Sequence, residues 1–162
     1  MIRIGHGMDV HRLVEALELV LCGVKIPHER GLLGHSDADV ATHALMDALL
    51  GAACLGDIGK HFPDTDKAYK GARSVDLLKL VGKKLENEGY VLRNADITIV
   101  AQEPKLSPYI EDMRQCLATA LRVPVALISV KATTTEHLGF EGQEQGISAH
   151  AVCLIRSITD RD

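Results

Sequence analysis

The alternation along residues 2–12 constrains the fold of this 162-residue chain more than any other feature. One face carries apolar side chains and the other carries glycine and polar groups: Ile2, Ile4, Met8 and Val10 against Arg3, Gly5, Gly7, Asp9 and His11. A period of two residues is that of a β-strand. The pattern predicts a strand with its apolar face in the core, and it places Asp9 and His11 side by side on the opposite face.

A second pattern, with helical spacing, occupies residues 38–55. Its apolar stripe consists of Ala41, Leu45, Ala48, Leu49 and Ala52. Asp39, His43 and Asp47 fall on the other side, so His43 is predicted to lie away from the core. Residues 36–39 (Ser-Asp-Ala-Asp) resemble a capping box, which predicts the start of the helix.

The remaining patterns predict strands at 17–24, 91–101, 127–133 and 147–156, and helices at 74–88 and 108–122. A long polar segment without periodicity spans residues 56–71, and no repeat or linker divides the chain. Strands interleaved with helices predict one α/β (α+β) domain over residues 1–162, in which helices cover one face of a mixed sheet.

Composition excludes several classes of protein. A net charge of −4 argues against nucleic-acid binding, and no apolar run reaches the ~20 residues of a membrane span. The first residues form neither a signal peptide nor a transit peptide, which predicts a cytoplasmic protein, or a plastid stromal one if a transit peptide has been removed. The cysteines lack metal-site spacing and are predicted to be reduced core residues: Cys22, Cys54, Cys116 and Cys153.

Three side chains suggest a metal site. Asp9 and His11 share one face of the first strand, and His43 lies on the predicted helix. Zinc accepts imidazole nitrogen and carboxylate oxygen, and three protein ligands leave a fourth position for substrate. The spacing alone leaves two interpretations open, a zinc site or solvated polar groups.

Two further segments can be interpreted either as ordinary turns and strand ends or as functional segments. The loop around Asp57, Asp64 and Asp66 has turn composition, but loops of its length are often functional. Residues 133–136 (Thr-Thr-Thr-Glu) suit either a strand end or the binding of phosphate and a hard cation. No nucleotide-binding glycine motif is present. The other histidines are interpreted as structural, with His6 facing the core: His6, His28, His61, His137 and His150.

Taken together, five segments resemble one family. They are R-I-G-x-G-x-D-x-H at 3–11, the H-S-D-x-D run at 35–52, G-D-I-G-x-x-F-P-D-T-D at 56–66, A-Q-x-P-K at 101–105, and K-A-T-T-T-E-x-L-G-F at 131–140. They occur in the order seen in the 2-C-methyl-D-erythritol 2,4-cyclodiphosphate synthase family. The chain is therefore identified by resemblance as a member of that family.

The resemblance implies a role for each matching residue. Asp9, His11 and His43 would bind zinc, Glu136 would hold magnesium or manganese, and His35 and Thr134 would be catalytic. His35 and Ser36 would meet substrate phosphates at the start of the helix, where anions are favoured. The implied substrate-binding residues are Asp9, His11, His35, Ser36, Asp57, Ile58, Gly59, Phe62, Pro63, Asp64, Thr65, Asp66, Ala101, Gln102, Pro104, Lys105, Leu106, Ser107, Thr133, Thr134, Thr135, Glu136, Phe140 and Gln143.

The family's reaction implies the activity and the assembly. It converts 4-diphosphocytidyl-2-C-methyl-D-erythritol 2-phosphate into the cyclic diphosphate and CMP, a phosphorus–oxygen lyase step of isoprenoid precursor synthesis. The attacking 2-phosphate is already an anion, so no general base is required. The family is a homotrimer with sites between subunits. Two alternatives remain: a zinc phosphohydrolase that uses water as nucleophile, and a non-catalytic trimeric metabolite-binding module.

The chain departs from the family at two positions. Gln143 and Gln145 stand where well-known members carry arginine and glutamate near the trimer axis, and that arginine contacts the diphosphate of a prenyl ligand. An amide lacks the charge and the two-pronged donor geometry of a guanidinium. We therefore expect the amides to bond to each other, and axial binding of geranyl or farnesyl diphosphate to be weak or absent.

Overall fold

A five-stranded mixed sheet forms the frame of the chain, and the computed structural model describes residues 1–159. The elements in chain order are β1 (Ile2–Glu15), β2 (Leu19–Leu21), β3 (Val24–Ile26), β4 (Arg30–Leu32), α1 (Val40–Ala52), α2 (Ile58–His61), α3 (Ser74–Asn87), β5 (Tyr90–Val100), α4 (Ile110–Leu121), β6 (Ile128–Thr133), α5 (Gly139–Gly142) and β7 (Gly146–Ser157). The strand order is β4-β1-β7-β5-β6, and β5 and β6 run parallel while the other pairs are antiparallel. Among the described residues, no helix has the length and apolar character to cross a membrane.

The core lies between one face of the sheet and the helices. α1 packs on β1, β7 and β5, and it also contacts α3, which in turn contacts α4. Eleven of the thirteen residues of α1 are buried, and Gly51 near its end is the exposed one, so the helix is covered over most of its surface. The buried side chains are mostly Leu, Ile, Val and Ala, and the mixed α+β fold with helices on one face is the one predicted.

The two faces of β1 were assigned the wrong way round by the alternation. Gly5 and Gly7 face α1, whereas Ile2 and Ile4 remain 71% and 70% exposed. Periodicity separates the faces of a strand but does not say which one is covered, and glycines give no hydropathy signal. His6 lies on this open face, exposed beside His150, and does not point into the core.

Other differences are local. The strand predicted over 17–24 is a hairpin of β2 and β3, which turns at Cys22 and Gly23, both with positive φ. The short β4 and α5 were not predicted. Two cysteines depart from the predicted core placement, because Cys54 is exposed and Cys116 is partly buried, while Cys22 and Cys153 are buried as expected.

The start of α1 also differs from the prediction. The N-cap is Asp39, whose carboxylate accepts hydrogen bonds from the backbone of Thr42, Cys22 and Gly23. Ser36 is therefore not the capping residue. A buried carboxylate of the chain itself thus already lies at this end of the helix, and contact of His35 and Ser36 with substrate phosphates there stays a prediction.

The close approach of α1 to β1 can be tested by adding one methyl group. A Cβ at Gly7 would lie 2.0 Å from the carbonyl oxygen of Ala44, so Gly7→Ala should lower the free energy of unfolding by about 3 kcal/mol. Gly51→Ala, on α1 itself, is the matched control, since no atom outside the backbone of its own helix lies within 4 Å of its Cβ position. It should raise stability by about 0.5–1 kcal/mol. Denaturant unfolding measures both, and equal stabilities would contradict this packing.

Candidate metal centre and pockets

Asp9, His11 and His43 come together as predicted. Oδ2 of Asp9 lies 3.0 Å from Nε2 of His11 and 2.9 Å from Nδ1 of His43, and the two nitrogens are 3.3 Å apart. Two ligands of one tetrahedral zinc ion are separated by about 3.3 Å, given Zn–N bonds of about 2.0–2.1 Å. The three facing atoms therefore have the spacing of a metal-ligand set, the one such group of three or more found in the described residues.

The prediction that His43 faces away from the core is wrong. His43 is only 8% exposed, because α1 packs against both the sheet and α3 and eleven of its thirteen residues are buried. Its ring has partners at both nitrogens, since Nε2 lies 2.9 Å from Oγ of Ser74. Nδ1 of His11 donates to the carbonyl oxygen of Leu33 at 2.8 Å, which leaves Nε2 of that ring directed at Asp9.

The charges of the group are strongly coupled. Burial alone would raise the pKa of Asp9, but hydrogen bonds from His11 and His43 and the charges of those rings hold it well below its ordinary value. Burial would lower the pKa of His11, but its hydrogen bond to Asp9 and the carboxylate charge outweigh this and raise it. A metal ion entering the group therefore competes with a proton for Nε2 of His11.

A pocket of about 430 Å³ opens beside the metal-ligand group. Its lining includes ten of the predicted site residues: Asp9, His11, His35, Ser36, His43, Ile58, Gly59, Phe62, Pro63 and Asp64. The lining also includes Met46, Tyr69 and Leu77, which sequence analysis missed. Tyr69 packs edge-on against Phe62 at 5.4 Å between ring centroids. With only five aromatic residues in the chain, two of them near each other in one polar loop were an available signal.

Three predicted residues of this loop do not line the pocket. Asp57 caps α2 by accepting from the backbone of Lys60, and Asp66 caps the next turn by accepting from Ala68, each at 2.9 Å. Thr65 is exposed between them. Asp47 of α1 accepts from the backbone of Ile58 at 2.7 Å and so fixes the loop to the helix that carries His43.

A second pocket, of about 580 Å³, lies at the ends of β5 and β6 and shares no lining residue with the first. Eight predicted residues line it: Ala101, Gln102, Pro104, Lys105, Leu106, Ser107, Thr133 and Thr134. Gln102 accepts from the backbone of His137 at 3.1 Å, which ties the following loop to this pocket. The two predicted halves of the site are therefore separate cavities within one chain.

The remaining predicted residues lie after β6. Glu136 is exposed with positive φ, and its carboxylate accepts from the Thr134 hydroxyl at 2.8 Å. Glu136 belongs to no group of three metal-ligating side chains within the described residues. Thr135 donates to the backbone of Leu138, and Phe140 lines a shallow cleft beside Val10.

The glutamine pair behaves as expected. The side-chain amide of Gln145 donates to that of Gln143 at 3.1 Å, so the two neutral groups satisfy each other. The consequence for prenyl diphosphate binding remains a prediction.

An α+β fold that presents an open group of three metal-ligating side chains at a pocket defines the class, a candidate metal-dependent enzyme acting on a small molecule. The model of the YgbB family matches residues 2–156, and the chain belongs to this family. It is 61% identical over 157 residues to the 2-C-methyl-D-erythritol 2,4-cyclodiphosphate synthase of Desulfitobacterium hafniense, covering 96% of this chain and 99% of that protein.

Solved structures agree with this assignment. The bifunctional IspDF of Campylobacter jejuni superposes with a TM-score of 0.94 at 44% identity, covering 97% of this chain and 42% of that one. The chain therefore spans less than half of that protein. A CDP complex of IspF from Plasmodium falciparum superposes with a TM-score of 0.84 at 34% identity, covering 96% of each chain.

Removing one ligand tests the metal centre. His43→Ala should lose most of the zinc bound by the unaltered protein, because two remaining ligands hold the ion poorly. His28→Ala, in the loop between β3 and β4, is a matched control that should keep its zinc. Elemental analysis after dialysis against zinc measures both. Affinity should fall as the pH is lowered, since protons compete at His11, and full zinc in His43→Ala would contradict the ligand set.

Proposed function

We propose that this protein converts 4-diphosphocytidyl-2-C-methyl-D-erythritol 2-phosphate into 2-C-methyl-D-erythritol 2,4-cyclodiphosphate and CMP. The observation that carries the proposal is the group formed by Asp9, His11 and His43, which opens into a pocket lined by the residues that the resemblance implies for substrate. The names of its relatives and the CDP bound to the Plasmodium falciparum protein support the same reaction.

The donor atoms favour particular metals. Two imidazole nitrogens and one carboxylate oxygen suit zinc, with an open position for a phosphate oxygen. Glu136 offers a single carboxylate, which suits magnesium or manganese if phosphates and water supply the other ligands. When bound, these ions would neutralise negative charge on the α- and β-phosphates as CMP leaves.

The residues around the pockets would align the reacting groups. An oxygen of the 2-phosphate attacks the β-phosphorus, and the bond from that phosphorus to the oxygen it shares with the α-phosphate breaks. The bridging oxygen and its electron pair leave with CMP, so no proton needs to be removed first. His35 and Ser36 at the first pocket, and Thr134 and Lys105 at the second, would donate hydrogen bonds to the phosphates.

The separation of the two pockets favours a site shared between subunits. The first pocket carries the metal group and would take the methylerythritol phosphate, and the second would take cytidine. An apolar strip crosses the open face of the sheet, and its side chains are 45–71% exposed: Ile2, Ile4, Met8, Val10 and Val152. Burial of this strip against other copies would favour the homotrimer implied by the resemblance.

The reaction is tested by the choice of nucleophile. With the full substrate, phosphorus NMR should show the cyclic diphosphate and CMP. An analogue without the 2-phosphate should release CMP at least about 100-fold more slowly, because the intramolecular nucleophile is gone. Equal release from both compounds would indicate the phosphohydrolase, and binding without turnover would indicate the metabolite-binding module.

Assembly is tested by placing a charge on the strip. The unaltered protein should sediment as a trimer at micromolar concentration, and Ile4→Lys should dissociate it because the charge would be buried. Leu80→Lys is the matched control, since Leu80 is 47% exposed on α3, on the helical side of the sheet. A fully active monomer of the unaltered protein would contradict the shared site.

A further inference from the structure

Ser74 lies directly behind the metal-ligand group, and the proposed reaction assigns it no role. It is the first residue of α3 and is fully buried. Its Oγ lies 2.9 Å from Nε2 of His43 and also contacts Oδ1 of Asp37. Oδ2 of Asp37 accepts from the backbone N–H of Ser74 at 3.0 Å. A continuous path therefore runs from the metal-facing nitrogen of His43 through its ring to a hydroxyl and then to a carboxylate.

The donors and acceptors on this path fix its direction. A carboxylate accepts but does not donate, so the hydroxyl proton of Ser74 is directed at Asp37. Oγ of Ser74 then offers only lone pairs to His43, and Nε2 of that ring must carry the proton. The neutral ring that ligates a metal has one N–H, so with Nε2 protonated the lone pair of Nδ1 goes to the ion, in place of the hydrogen bond that Nδ1 donates to Asp9 without metal. Nδ1 is the atom that faces Asp9 at 2.9 Å, as ligation of a metal requires.

Ser36 is a second neighbour of the same nitrogen. Its Oγ lies 3.2 Å from Nε2 of His43, and it also lines the first pocket. Ser74 is closer, is fully buried and is paired with a carboxylate, so it is the stronger acceptor. Because Nε2 already carries a proton, Ser36 cannot donate to it. The Ser36 hydroxyl proton is therefore directed either at Oγ of Ser74, 3.5 Å away, or into the pocket.

We propose that Ser74, held by Asp37, is a positioning residue that fixes the orientation and tautomer of His43 and thereby sets the affinity of the metal centre. This inference rests on the proposed function only in taking His43 as a metal ligand. Removing the hydrogen-bond partner of the non-ligating nitrogen of a metal-bound histidine typically lowers metal affinity by about 10–100-fold. Ser74 itself lines neither pocket, and its closest contact with a lining residue is the one to His43 at 2.9 Å, ahead of Ser36 at 3.5 Å.

Zinc affinity separates the two serines. In metal-depleted protein titrated with zinc against a chelator, Ser74→Ala should raise the dissociation constant about 10–100-fold. Ser36→Ala should leave it close to that of the unaltered protein, although it removes a donor from the pocket. Asp37→Asn should have a smaller effect than Ser74→Ala, because the amide oxygen still accepts from the hydroxyl. Equal zinc affinity in Ser74→Ala and the unaltered protein would overturn the proposal.

Thermal unfolding of the metal-free variants shows whether Ser74→Ala folds. If it does not fold, a second measurement on the unaltered protein tests the proposal. Nitrogen-15 NMR of the unaltered, zinc-loaded protein should show a protected proton on Nε2 of His43. An unprotonated Nε2 would overturn the proposal by itself. Neither measurement uses substrate, so absence of turnover in a protein that binds zinc this way would overturn the proposed function and leave this inference standing.

Discussion

The backbone of α1 lies against the backbone of β1, and the metal-ligand group depends on that contact. Cβ atoms at Gly5 and Gly7 would lie 1.8 and 2.0 Å from the carbonyl oxygens of Ala48 and Ala44. Four residues of the helix rise about 6 Å and two residues of the strand about 6.7 Å. Each step of two residues along β1 is therefore matched by a step of four residues back along α1, from Ala48 to Ala44. The next step along the strand is Asp9, and His43 precedes Ala44. A larger side chain at either glycine would move His43 away from Asp9.

The geometry of the site follows from this contact between α1 and β1 and from the hydrogen bonds that orient the site's side chains. His11 is held by the carbonyl of Leu33 and His43 by Ser74, so both rings present one nitrogen to the same point. Asp47 connects α1 to the loop that forms the rim of the first pocket. The second pocket forms independently, where the parallel strands β5 and β6 end. Preorganised ligands and separate pockets suit a reaction whose main requirement is alignment of two phosphates.

Sequence patterns predicted the elements whose signal is local. The bounds of β5, β7 and α3 differ from the predicted bounds by one residue at each end or less. The spacing of Asp9, His11 and His43 left a metal site open, and the resemblance to the family indicated it. The burial of His43 was missed because a helix with eleven of its thirteen residues buried has little amphipathic signal. Ser74 was missed because its partners, Asp37 and His43, lie more than 30 residues away in the chain. Only the tertiary fold brings them together.

The central claim is that one metal ion at Asp9, His11 and His43 organises a site completed by the second pocket of another subunit. Anomalous diffraction at the zinc absorption edge, from crystals grown with CDP, tests it most directly. The account predicts a peak about 2.0–2.2 Å from Nε2 of His11, Nδ1 of His43 and Oδ2 of Asp9. The cytosine should lie in a neighbouring copy's pocket. No peak at the three atoms, or a nucleotide held within one chain, would contradict it.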